Sequence, residues 1–172
     1  GVSGRTNFAH ETAGYNADMT LETSEMLLRL VMALVLGGLI GLDRRTHSKP
    51  AGLRTMSLVS LGSATFTIVG ISAMFQLAAA EQAAGLEVMV RLDTSRVIAG
   101  IVGGIGFLGA GAIIQSRGRV QGMTTASGIW MTAAIGVATG LGQYTLALAA
   151  TFLAYIVLVL LRQSVEEENN NK

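Results

Sequence analysis

Few side chains in this 172-residue sequence are equipped for chemistry. It has no Cys and only two His, His10 and His47, so thiolate nucleophiles, thiolate metal sites and disulfide frameworks are excluded and an imidazole-rich centre has little to build on. The acids closest to apolar segments are Asp43 and Asp93, with Glu25, Glu81 and Glu87 more peripheral. Asp43 and Asp93 are the weak metal candidates, since Mg2+ takes near-octahedral oxygen ligands from one or two carboxylates and retained water. The string Gly104-Ile105-Gly106-Phe107-Leu108-Gly109 matches the dinucleotide pattern G-x-G-x-x-G. That pattern works only in a strand-to-helix turn with an acid about 20 positions on. Here it lies in an uncharged run, and no Asp or Glu occurs between Asp93 and Glu166, so nucleotide binding is rejected. No paired acids, Ser-His-acid set or ligand cluster remains, and neither an enzyme nor a cofactor is expected.

The elements that hold these residues follow from where charge is missing. Apolar residues make up 51% of the chain and charged residues 13%, with a net charge of +1 and a mean hydropathy of +0.53. Ordinary globular chains are about a quarter charged. This balance excludes a basic nucleic-acid binder and an acidic disordered chain, and it makes the lipid bilayer the expected surroundings. A helix needs about 20 apolar residues to cross the hydrocarbon. Residues 55–80 and 97–116 carry no charge, and a third uncharged run, 120–161, is broken at Gly140-Leu141-Gly142-Gln143, which predicts a hairpin of two helices. Ahead of these, 26–42 holds only Arg29, near one end, where it can snorkel to the interface.

The expected fold is therefore all-α: a polytopic membrane protein with a bundle of five transmembrane helices in a domain over 19–162. Its spans are about 26–42, 55–80, 97–114, 123–139 and 144–161. A soluble bundle would need charged outer faces, which four of these segments lack. In lipid each segment must satisfy its own backbone groups, hence helices. Residues 1–18 are polar, without the apolar core of a signal peptide, and are expected to be a disordered extension, with Met19 a plausible natural start. Residues 163–172 read as a solvated acidic and Asn-rich tail. Eight basic residues (Arg44, Arg45, Lys49, Arg54, Arg117, Arg119, Arg162, Lys172) fall on one side against Arg5, Arg29, Arg91 and Arg96. The positive-inside bias then predicts an inner-membrane protein with an external N-terminus and a cytoplasmic C-terminus.

The third span carries Gly100, Gly103, Gly104, Gly106, Gly109 and Gly111. Each costs a helix in water about 1 kcal/mol relative to Ala, so packing is expected to compensate. At about 100° per residue, Ala99, Gly103, Gly106 and Ala110 form one stripe; Gly100, Gly104 and Gly111 form another a quarter turn away. Such notches let backbones approach closely, so the bundle is expected to clamp around this helix, or a second copy to dock there as a homodimer. The fourth span, with Thr124, Thr125, Ser127, Gly128, Thr132, Gly136 and Thr139, is too polar to face lipid on all sides and is expected inside. Trp130, in the middle of that span, is expected to fill a gap beside glycines, with a ligand contact as the alternative. Asp43 is expected to pair with Arg44, Arg45 or Arg54, and Asp93 with Ser95 to cap the third helix. The basic loop 44–54 either obeys the positive-inside bias or holds anionic headgroups or an acidic partner.

The strings Gly41-Leu42-Asp43-Arg44, Lys49-Pro50-Ala51-Gly52-Leu53-Arg54-Thr55, Arg96-Val97, Gly104-Ile105-Gly106-Phe107-Leu108-Gly109-Ala110-Gly111 and Gly122-Met123-Thr124-Thr125-Ala126, followed by Trp130, resemble the MgtC/SapB membrane-protein family. The resemblance runs in order from residue 27 to about 160. Asp43 stands where the family commonly has Glu, and Met123 where it commonly has Leu. Longer members carry a soluble C-terminal domain, which this chain is expected to lack, so functions residing there do not carry over. The resemblance implies a role in adaptation to low magnesium and, in pathogens, in survival inside host cells. For some members it implies regulation of other membrane proteins, including the rotary ATP synthase. The expected function is thus regulation of another membrane protein by helix-helix contact. The alternative is a cation transporter or channel, with Mg2+ as a candidate cargo. Against it, no acid lies in mid-span, and Asp43 and Asp93 fall about 30 Å apart on opposite sides.

Overall fold

A computed structural model describes residues 22–46, 50–85, 93–116 and 119–170, without the side chains of Asp43, Arg45, Thr46, Ser116 and 160–170. The extension expected over 1–18 lies outside them. Five helices follow in order: α1 (Thr23–Thr46), α2 (Leu53–Ala83), α3 (Thr94–Ala112), α4 (Met123–Gly140) and α5 (Tyr144–Asn170). The architecture is that of a polytopic helical membrane protein. Over Thr23–Leu42, Leu53–Ala83 and Thr94–Ala112, helices α1, α2 and α3 are long and apolar enough to cross a bilayer. The apolar part of α5, Tyr144–Val159, is shorter. α4, at 18 residues, is about 27 Å long and is diluted by threonines and glycines.

The boundaries show where charge-free windows mislead. α5 continues as helix past 161 to Asn170, through the segment read as tail. α3 stops short: Ile113 is extended, and β1 (Ile114–Ser116) pairs antiparallel with β2 (Arg119–Gln121), Ile114 opposite Gln121. These three-residue strands bury nothing described, so no apolar alternation announces them. The ribbon returns to α4 through Gly122, whose φ is +89°; a Cβ there would stand 1.9 Å from the Ala112 carbonyl oxygen, so only glycine fits. The α4–α5 turn is a Schellman closure. Gln143 N–H donates to Ala138 O and Gly142 N–H to Thr139 O, both at 2.9 Å, and Gly142 sits at φ +74°.

The axis of the bundle is α4, which packs against all four other helices, while α1 and α2 form its most extensive side. Thr125, Gly128, Ile129, Thr132, Ala133 and 135–140 of α4 are buried, whereas α3 buries Gly109 alone. The expectation of a bundle clamped around α3 is therefore overturned. A Cβ added at Gly100, Gly103, Gly104, Gly106 or Gly111 would meet no described residue within 4 Å. The physical reason is the solvent: in hydrocarbon no water competes for the backbone bonds, so a glycine-rich helix does not need packing to survive. Close approach happens elsewhere. A Cβ at Gly37 would lie 2.6 Å from Ser60 Cβ, one at Gly41 2.6 Å from Leu53 Cα, one at Gly136 2.2 Å from Ser60 O and one at Gly140 2.9 Å from Ala64 O. α2 is thus gripped between α1 and α4 through glycines on both sides.

Candidate functional site

Two arginines of α1 fasten it to the two ends of α4. Arg29 donates through Nη1 to Gly140 O (2.8 Å) and through Nε to Glu25 Oε1 (2.9 Å), and Tyr144 Oη donates to the same carboxylate oxygen at 2.7 Å. The Arg29 side chain is only 13% exposed, so it does not snorkel; it neutralises the carbonyl end of α4 and lies over Gly142. At the other end Arg44, 3% exposed, donates from Nε to Ala51 O (3.0 Å) and from Nη2 to Thr125 Oγ1 (2.5 Å). Arg29 to Arg44 and Thr125 to Gly140 are each 15 positions apart, or about 22 Å of helix. The two helices run antiparallel with matched anchors.

Between the anchors the interior is lined with hydroxyls rather than acids. Thr132 Oγ1 donates to Gly128 O (2.7 Å) and contacts Met56 Sδ, Thr139 to Ile135 O, Thr67 to Ser63 O and Thr151 to Ala147 O. Each thus closes on a carbonyl of its own helix, four residues back. Ser60 packs its Cβ against Gly37 and its backbone against Gly136, and its Oγ is the one buried side-chain polar atom among the described residues without a partner.

The residues singled out in the sequence are scattered rather than assembled. Asp43 lies on the last turn of α1, its side chain outside the described atoms; Arg44 bonds Thr125 and Ala51, and Thr124 beside it is exposed. Asp93 caps α3 at the other end: Ser95 N–H donates to it at 3.1 Å, Ser95 Oγ bonds the same oxygen, and Arg96 Nε stands 3.6 Å away. The Ser95 hydroxyl, with Arg96 assisting, holds the Asp93 carboxyl below its ordinary value. α3 meets α4 at Gly109 and Ala126, near the β1–β2 ribbon, so its capped start points to the Arg29 end. Asp43 and Asp93 accordingly occupy opposite ends of the bundle. Among the described residues no group of three or more acids or histidines gathers where a metal ion could sit. Trp130 does not fill an internal gap. It is 51% exposed and borders an outer cleft between α3 and α4, because its neighbours on α4 turn the glycine side inward. Arg54 is exposed at the start of α2.

Sequence reading missed the Glu25–Arg29–Tyr144 cluster and the glycine contacts of α1 and α4. Signals for both exist: Glu25 and Arg29 have the i, i+4 spacing of a helical ion pair. Gly37 and Gly41, like Gly136 and Gly140, have the G-x-x-x-G spacing of close helix crossings.

The MgtC family model matches residues 30–167. Among curated proteins, YhiD of Escherichia coli (strain K12), by name a candidate magnesium transporter, is 38% identical over 141 residues, 82% of this chain and 62% of its own. Protein SrpB of Synechococcus elongatus is 40% identical over 139 residues, covering 76% of this chain and 71% of its own. Protein MgtC of Salmonella typhimurium is 38% identical over 143 residues, 83% of this chain and 55% of its own. The chain thus spans little more than half the length of MgtC and under two thirds of YhiD. No solved structure matches it.

Proposed function

Starting from the chain's membership of the MgtC family, we propose that it is a non-enzymatic regulator of another inner-membrane protein, in a role tied to magnesium limitation. It acts by helix-helix contact on the outer stripe of α3. The observation that carries this reading is the exposure of Ala99, Gly103, Gly106 and Ala110, beside Phe107 at 81% exposure, on a helix where no described residue covers Gly103 or Gly106. Small residues on a lipid-facing helix leave a groove where a partner's backbone gains dispersion contacts that lipid tails do not supply. The expected orientation, with the N-terminus outside and the Arg44 end cytoplasmic, puts Arg44, Arg54 and Arg119 at the inner surface.

Transport of a cation, the reading suggested by the name of YhiD, has less support here. The interior hydroxyls close on their own carbonyls, and the two candidate acids stand at opposite ends. The test compares wild type with Gly103→Leu/Gly106→Leu, measuring co-purified membrane proteins from the native host and thermal stability in detergent. Loss of the co-purified partner at unchanged stability is expected. Retention of every partner overturns the reading, as does magnesium flux above that of empty vesicles in liposomes loaded with a magnesium-sensitive dye.

A further inference from the structure

Two apolar grooves flank α2 and meet at one residue. On the α3 side a groove of about 870 Å3 runs past Leu58, Phe66, Gly100, Gly104 and Leu108; on the α1 side one of about 590 Å3 runs past Leu34, Val35, Leu39 and Leu42. They share Arg54 and Leu58, with Arg54 at the mouth and Leu58 as the ridge between. Arg54 is exposed and makes no hydrogen bond or ion pair among the described residues. It lies in the first turn of α2, where the N-cap Gly52 supplies no side-chain bond and no acid is present. A guanidinium on the positive end of an uncompensated helix is an unfavourable placement unless an anion sits there.

From this convergence we infer that α2 carries a site for an anionic diacyl phospholipid: the phosphate on Arg54 and the free N–H groups of the first turn, with one acyl chain on each side of Leu58. One head and two diverging apolar slots match a two-chain lipid, where a partner helix would fill one slot only. A net negative headgroup is selected because a zwitterionic one brings its own cation up to the guanidinium. The site is separate from the outer stripe of α3, which faces away from α2.

The test uses the full chain in detergent and native mass spectrometry with dioleoyl-phosphatidylglycerol, dioleoyl-phosphatidylcholine and lyso-phosphatidylglycerol. Phosphatidylglycerol should be retained about five-fold over phosphatidylcholine, the factor one basic residue contributes at an anionic surface. Arg54→Gln should abolish that preference, whereas Arg119→Gln, an exposed arginine bordering neither groove, should keep it. Gly104→Leu, whose added Cβ meets no described residue within 4 Å on the α3 side of the groove, should remove the advantage of the diacyl over the lyso lipid. Equal retention of both headgroups by wild type overturns the site whether or not the variants fold. So does an equal loss in Arg54→Gln and Arg119→Gln, or a lipid-free dimer in place of the lipid-bound chain. Gly103→Leu/Gly106→Leu should leave lipid retention intact, which separates failure here from failure of the partner reading.

Discussion

Helices α3 and α4 are both rich in glycine and small residues, yet one is the least buried helix core and the other is the axis. α3 has the greater number of glycines, six against three within the helix, and buries one of them. α4 places Gly136 and Gly140 against Ser60, Ala64 and Thr67, small residues on one side of α2, and the backbones interlock. A notch is filled only where the opposing helix offers a matching low ridge and the connections bring it there. Glycine content states how close a neighbour could come, not whether one does.

The contrast is most easily broken at Gly136. Gly136→Ala places a methyl 2.2 Å from the Ser60 carbonyl oxygen, and a cost of about 3 kcal/mol, at the upper end of overpacking, is expected as a fall in the thermal midpoint in detergent. The matching change on α3, Gly103→Ala, should be neutral or gain up to about 1 kcal/mol. A drop at Gly103 as large as at Gly136 would erase the distinction. Next comes Thr125→Val, which removes an acceptor from the buried Arg44 and should cost about 2 kcal/mol by the same measurement. Arg29→Met, at the other anchor, should cost about 1 kcal/mol, since that guanidinium is nearer the surface. Ser60→Ala has the opposite sign: deleting the unpartnered buried hydroxyl should stabilise by about 1 kcal/mol. The smallest effect is on α3 itself. The Asp93 carboxyl titrates below its ordinary value of 3.8 when folded, so its contribution is present above that pH and lost as pH falls through the lower folded value. Asp93→Asn should flatten that acid limb only slightly, because the cap is exposed.

Most of the helical frame was legible in advance because hydrocarbon forbids unpaired backbone and unsolvated charge, so absence of charge maps directly onto helices. The break at Gly140–Gln143 was legible because the uncharged run 120–161 is about twice one crossing and glycines interrupt it, and Gly142 does turn the chain there. The β1–β2 ribbon was not, since three exposed residues per strand leave no apolar period. Nor was the role of Arg29. A lone arginine near a helix end reads as a snorkel until the carbonyls of Gly140, 111 residues away, are placed beside it.

Composition and the positions of charge alone determined that this chain is a bundle of lipid-embedded helices, because transfer free energies act residue by residue and need no knowledge of neighbours. The tertiary structure decided which helix forms the axis, which glycines are covered, and that Arg54 stands between two open grooves. Those outcomes depend on pairwise fit between segments far apart in the chain, and a pattern along one helix holds only half of each pair.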